Sequence, residues 1–150
     1  MNVSQYIKQH AEYNYDDIIN QVEPNTYILF GEPIAQNRCQ HGRVDWDQQR
    51  LHRVNATIRL SDLHYNKPLF VGPIKIDMKF YFSMPKKNSP RLKNTFHTAA
   101  PEIGRLIKFI EEVAQGIIFS DECTIASITS EKKYDYVPRT EFFIEQIKRN

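Results

Sequence analysis

The chain has 150 residues, with 20 Lys and Arg against 18 Asp and Glu, for a net charge of +2. At 41% hydrophobic and 25% charged residues, the composition is that of one globular domain with or without an appendage, and it excludes wholesale disorder. So small a net charge also excludes a general polyelectrolyte attraction for nucleic acid, leaving only local basic clusters to supply one.

Residues 1–24 read as a short helical arm. Tyr6, Ile7, Tyr13, Ile18, Ile19 and Val22 make a loose stripe, and Glu23-Pro24-Asn25 ends it. The main domain is then 25–150. Thr26 to Phe30 is β-branched and aromatic and reads as a strand closed by Gly31 and Pro33. A polar loop follows, carrying Arg38 and Arg43. From about Asp47 to Leu60 the pattern is helical, with Leu51, Val54, Ile58 and Trp46 expected on the inner side. Ile74 to Met84 alternates apolar and polar residues with a period of two, which puts one face of a strand on a core. The loop 85–100 holds a second basic cluster, Lys86, Lys87, Arg91 and Lys93.

The stretch His97–Ile125 is the most legible part of the chain. Ile103, Leu106, Ile107, Ile110, Val113 and Ala114 fall on one face of a helix. Pro101 suits its start, Glu102 suits the positive N-terminal end, and Gly116 suits the C-terminal stop. Thr124 to Tyr134 and Glu141 to Ile147 read as the last two strands. The order strand, helix, strand, helix, strand, strand predicts an α+β sandwich, a small mixed sheet with helices packed on one face.

Cys39 and Cys123 have neither CxxC nor zinc-ligand spacing, and no apolar run approaches the ~20 residues that span a membrane. A reduced, cytoplasmic protein with no membrane partner is the expectation. The residues that permit chemistry are the carboxylates Glu102, Asp121 and Glu122, with Lys108 between them. Two or three convergent carboxylates suffice to hold Mg²⁺, and a nearby lysine can stabilise charge developing on a phosphate. Acids at a helix start and in a turn serve equally well as caps and solvated surface.

The motif context gives the acids a second reading. Ala100-Pro101-Glu102-Ile103-Gly104-Arg105-Leu106, then Lys108, the turn Gln115-Gly116-Ile117 and the pair Asp121-Glu122 resemble the core of the RusA family of Holliday-junction resolvases. That core reads Lys-Pro-Asp-Leu-Asp-Asn-Leu, a lysine two residues on, a helix, Asn-Gly-Ile and an acidic pair. The early loop Pro33–Arg43 and the strand ending at Lys132 or Lys133 are also similar, so the resemblance spans about residues 26–147. It implies a homodimeric fold acting on branched DNA with Mg²⁺ or Mn²⁺. Glu102, Asp121 and Glu122 would be the metal ligands and, with Lys108, the catalytic set. Arg38, Arg43, Lys86, Lys87, Arg91 and Arg105 would hold DNA.

The chain departs from the motif at two places. Gly104 stands where the family has its second acid, and Arg105 stands where it has Asn. Two functions therefore remain open on the sequence. One is Mg-dependent cleavage of four-way junctions in recombination and repair. The other is a catalytically impaired relative that binds junction DNA or a protein partner without cutting.

Overall fold

The computed structural model describes residues 15–37, 46–85 and 89–148. A short helix α1 (Tyr15–Gln21) buries no residue and leads to β1 (Thr26–Phe30), with the Tyr15 ring edge-on to Phe30 at 4.9 Å. Then come α2 (Trp46–Leu63), β2 (Ile74–Ser83), a single turn α3 (Ser89–Leu92), α4 (Ile103–Ala114), β3 (Ile125–Asp135) and β4 (Arg139–Gln146).

The strands form one mixed sheet in the order β1-β4-β2-β3. β2 pairs in parallel with β3 and antiparallel with β4, and β4 pairs antiparallel with β1. A parallel pair needs a crossover, and α4 supplies it. The alternation in β2 does what its period requires: Ile74, Ile76, Met78, Phe80 and Phe82 are buried. They meet Phe142 and Ile144 of β4, Ala56 and Leu60 of α2, and Leu106, Phe109, Ile110, Val113 and Ala114 of α4 in one core. The α+β fold with a small mixed sheet is as expected, and α2 and α4 pack on its core face.

One expectation is overturned. The second helix lies where its pattern placed it, but it is turned over. Leu51, Val54 and Ile58 are 59, 46 and 57% exposed, while Gln49, Ala56 and Leu60 face inward. Trp46 belongs to the helix, but its side chain lies outside the described residues. The inward face is chosen by bonds as much as by apolarity. Ala56 allows close approach, Gln49 accepts the Asn37 N–H at 3.0 Å, and Arg53 pairs with Glu112 of α4.

A polar pair is built into the core beside β1. His64 Nε2 lies 2.9 Å from the Pro68 carbonyl, which can only accept, so that nitrogen carries the proton. Nδ1 is then an acceptor, and Tyr27 donates its hydroxyl to it at 2.6 Å. Burial pushes the Tyr27 phenol up to about 12, so it stays a donor throughout the working range. At the far end of β4, Arg139 is buried between Asp135 and Glu141, 2.7 Å from each, with its guanidinium over the Tyr81 ring.

Candidate functional site

The helix α4 organises the site because its two faces are so unlike. Its buried side is set by Leu106, Phe109, Ile110, Val113 and Ala114. Residues three and four apart share a face, so Gly104, Lys108 and Glu111 or Glu112 line the opposite side. Lys108 Nζ lies 3.2 Å from Glu122 Oε2 and 3.6 Å from Glu111 Oε2. The hydrogen bond that Lys108 donates to Glu122 is the main cause that raises the lysine pKa above its ordinary value, so the ammonium is held charged. Both partners are well exposed, which keeps this a modest surface interaction.

The start and end of the crossover are fixed separately. Lys132 of β3 donates to the carbonyls of Ala99 and Pro101 at 2.7 and 2.6 Å, tying the segment before α4 to the sheet. Glu102 is the N-cap residue, without a side-chain cap bond. Beyond α4, Gly116 turns the chain with φ +80°. Glu122 N–H then bonds Gln115 Oε1 at 2.9 Å, and Asp121 Oδ1 accepts the Cys123 N–H at 2.8 Å, capping a 3₁₀ turn over Glu122–Thr124.

Among the expected site residues, the structure brings together Lys108 and Glu122. It does not gather Glu102, Asp121 and Glu122 into a cage: among the described residues, no three His, Cys, Asp or Glu side chains converge closely enough to hold a metal ion. In this conformation the donor set does not fit a three-carboxylate Mg²⁺ site. Gly104, on the Lys108 face, contributes no oxygen, and a Cβ built there would meet nothing within 4 Å.

Arg105 has an anchoring bond. Its Nε donates to the Gln36 carbonyl at 2.7 Å, and the Gln36 N–H returns a bond to the Arg105 carbonyl at 3.0 Å. Gln36 Nε2 also donates to Glu112 at 2.7 Å, beside the Arg53–Glu112 ion pair. This network docks the 33–37 segment and α2 on α4. Of its members the sequence marks only Arg105, as a DNA contact; its pairing with Gln36, and those of Gln36 and Arg53 with Glu112, leave no local signal. Arg91 is exposed on α3. Arg38, Arg43, Lys86 and Lys87 lie outside the described residues.

The arrangement is an α+β domain whose parallel crossover gathers a lysine and carboxylates on one side of a single helix. Residues 30–145 match the model of the family described as endodeoxyribonuclease RusA, and the chain belongs to that family. The family is one of Holliday-junction endonucleases, generally dependent on a divalent metal. The chain is also similar to an uncharacterised protein, YqaN, of Bacillus subtilis (strain 168). The two are 24% identical over 135 residues, covering 81% of this chain and 95% of the relative. No described helix is long and apolar enough to cross a membrane.

Proposed function

We propose that this chain binds branched DNA through the RusA framework, with metal-dependent cleavage attenuated at position 104. The observation that carries the reading is the Lys108–Glu122 pair, 3.2 Å apart, on a helix face that offers Gly104 where the family motif has an acid. Lys108 and Glu122 stand where the resemblance puts the family's lysine and later acid, which supports recognition of a phosphate backbone. Glu102, Asp121 and Glu122, the ligands that the resemblance implies for Mg²⁺, do not converge among the described residues, which favours binding over cleavage. With Gly104 in place one carboxylate is missing from that set, and Mg²⁺ tolerates poor geometry badly.

In this reading Lys108 donates its charge to a backbone phosphate, and Arg38, Arg43, Lys86, Lys87 and Arg91 hold neighbouring phosphates from the two basic loops. The Arg105 bond to Gln36 keeps the early loop against α4, and its other guanidinium nitrogens suit a phosphate role as well. A homodimer suits the two-fold symmetry of a four-way junction.

A second reading, the fully active resolvase in recombination and repair, is favoured by the exposure of the Lys108–Glu122 pair. A surface pair worth well under about 1 kcal/mol can open when DNA and metal arrive. One experiment separates the two. The protein is incubated with a synthetic four-way junction and Mg²⁺ or Mn²⁺, and gel shift and strand cleavage are recorded together. A shift with little or no cleavage, unchanged by Glu122→Gln, is the expected result. Efficient cleavage abolished by Glu122→Gln with binding retained would establish the active enzyme instead. Absence of any shift would remove both readings, and a monomeric mass for the complex would remove the dimer.

A further inference from the structure

β3 is an edge strand of the sheet, and the segment before α4 is bonded along its last residues. Asn94 N–H donates to the Tyr134 carbonyl at 2.9 Å, Tyr134 N–H to the Thr95 carbonyl at 3.0 Å, and His97 N–H to the Lys132 carbonyl at 3.0 Å. Phe96 lies inside this pairing, opposite Lys133 in an antiparallel bridge. Lys132 Nζ holds the carbonyls of Ala99 and Pro101 just beyond. The backbone that carries Phe96 is therefore fixed on both sides.

Phe96 is nevertheless 66% exposed, while its neighbour His97 is stacked on Phe82. A lone exposed apolar residue needs no explanation, but the surroundings of this one set it apart. Three lysines each lie over an aromatic ring at this edge. Lys133 Nζ is 5.5 Å from the Phe96 centroid, Lys93 Nζ 5.3 Å from that of Tyr136, and Lys132 Nζ 5.8 Å from that of Phe82. A whole chain of this length holds about two such contacts on average. Arg91, exposed on α3, adds a cation upstream on the same segment. The nearby acids are paired, Glu131 with Lys133 at 3.4 Å and Asp135 with Arg139 at 2.7 Å, so neither stands alone against a phosphate.

We propose that Phe96 is a stacking platform for an unpaired base of branched DNA, with Lys93 and Lys133 attracting the phosphates on either side. An exposed ring among cations is the combination that takes single-stranded nucleic acid, because every base has a π face. Lys133 covers one face of the Phe96 ring, and its exposure leaves the other open. The ring is held in place before a base arrives, so binding orders little that is not already ordered. In a duplex the base faces are stacked on one another, whereas at a branch or in a single strand they are available. Phe96 shares an open groove of about 360 Å³ with Lys132 and with Ile103, the first residue of α4. A base on the ring would thus lie beside the start of the helix that carries Lys108. The inference rests on the proposed DNA binding and names the feature of the substrate that tells a branch from a duplex.

The test uses the full chain in gel shifts with a four-way junction, a single strand and a linear duplex. Phe96→Ala removes the ring, Phe96→Leu keeps apolar bulk without a π face, and Phe96→Trp restores one. The alanine and leucine variants should bind the junction and the single strand about tenfold more weakly, with duplex binding unchanged and the tryptophan variant close to wild type. With 5-iododeoxyuridine at the branch, ultraviolet light should cross-link the DNA to the peptide that contains Phe96. Junction binding by Phe96→Ala equal to that of wild type overturns the proposal while sparing the DNA-binding reading. Full binding by Phe96→Leu also overturns it, since apolar contact then suffices. A dimer in sedimentation that Phe96→Ala dissociates assigns the ring to a second copy of the chain instead. If the wild type binds neither junction nor single strand, both readings fall together.

Discussion

Gly104 is the residue on which the catalytic question turns, and its surroundings make it testable. A glycine inside a helix costs roughly 0.5–1 kcal/mol relative to alanine, and a Cβ at this position meets nothing within 4 Å. Gly104→Ala should therefore raise stability by about that amount in urea unfolding. Gly104→Asp places a carboxylate in the first turn, where the helix dipole favours it, one turn from Lys108 on the face that Glu122 meets. The expected outcome is tighter Mn²⁺ binding by calorimetry and junction cleavage above the wild-type level. If neither changes, the Lys108 face is not the metal-binding side.

His97 carries a second residue-scale prediction. Its ring stacks on Phe82 at 4.0 Å and meets Tyr134 at 4.9 Å. Burial first, and the charge of Lys132 second, push its pKa below the ordinary 6.5, against a weaker opposing pull from Glu32 and a backbone hydrogen bond. With the folded pKa depressed, the unfolded chain takes the proton more readily. The contribution to stability is present above about pH 6.5 and lost as pH falls from there through the folded value. The melting temperature of the wild type should therefore drop more steeply below about pH 6.5 than that of His97→Phe. Parallel pH profiles would show that this stack is not the sensor.

At the scale of elements, α2 and α4 show what a sequence can and cannot reveal. The α4 stripe is legible because its apolar face, its start at Glu102 and its stop at Gly116 all agree; the stripe omits only Phe109, buried on the same side. In α2 the apolar residues Leu51, Val54 and Ile58 define a face, but the opposite face makes the bonds. Gln49 to Asn37 and Arg53 to Glu112 join residues 12 and 59 apart, and no local period encodes such pairings. The Arg105–Gln36 contact, 69 residues apart, is hidden in the same way. Lys108 and Glu122 are legible because they stand 14 residues apart within one crossover. The turned helix makes a direct prediction. Leu60→Ala, at a fully buried position, should cost about 2–5 kcal/mol, whereas Ile58→Gln should stay within about 0.5 kcal/mol. Urea denaturation of the two variants measures the difference, and equal losses would mean that the outer face is covered in solution.

For the whole molecule, the issue is how a chain of net charge +2 would hold the polyanion that the proposed function requires. A diffuse field cannot do it, so attraction must be concentrated where the fold collects cations. The crossover places Lys108 on one side of α4, while in sequence Arg38 and Arg43 precede α2 and Lys86 and Lys87 precede α3. Each lysine or arginine that neutralises a phosphate releases condensed counterions, and junction affinity falls with salt in proportion to the number of phosphates neutralised. Changing Arg38 and Arg43 to Gln should make the plot of log affinity against log salt shallower by about 0.9 for each phosphate no longer neutralised. Changing Lys86 and Lys87 should do the same independently, and the two effects should add when the loops touch separate stretches of backbone. Gel shifts at four or more salt concentrations, with a junction and a linear duplex side by side, give the slopes. An unchanged slope for one pair removes that loop from the interface. Weaker affinity at constant slope would instead mean that its residues support the fold, because a folding defect lowers the active fraction without changing how many ions each bound molecule releases.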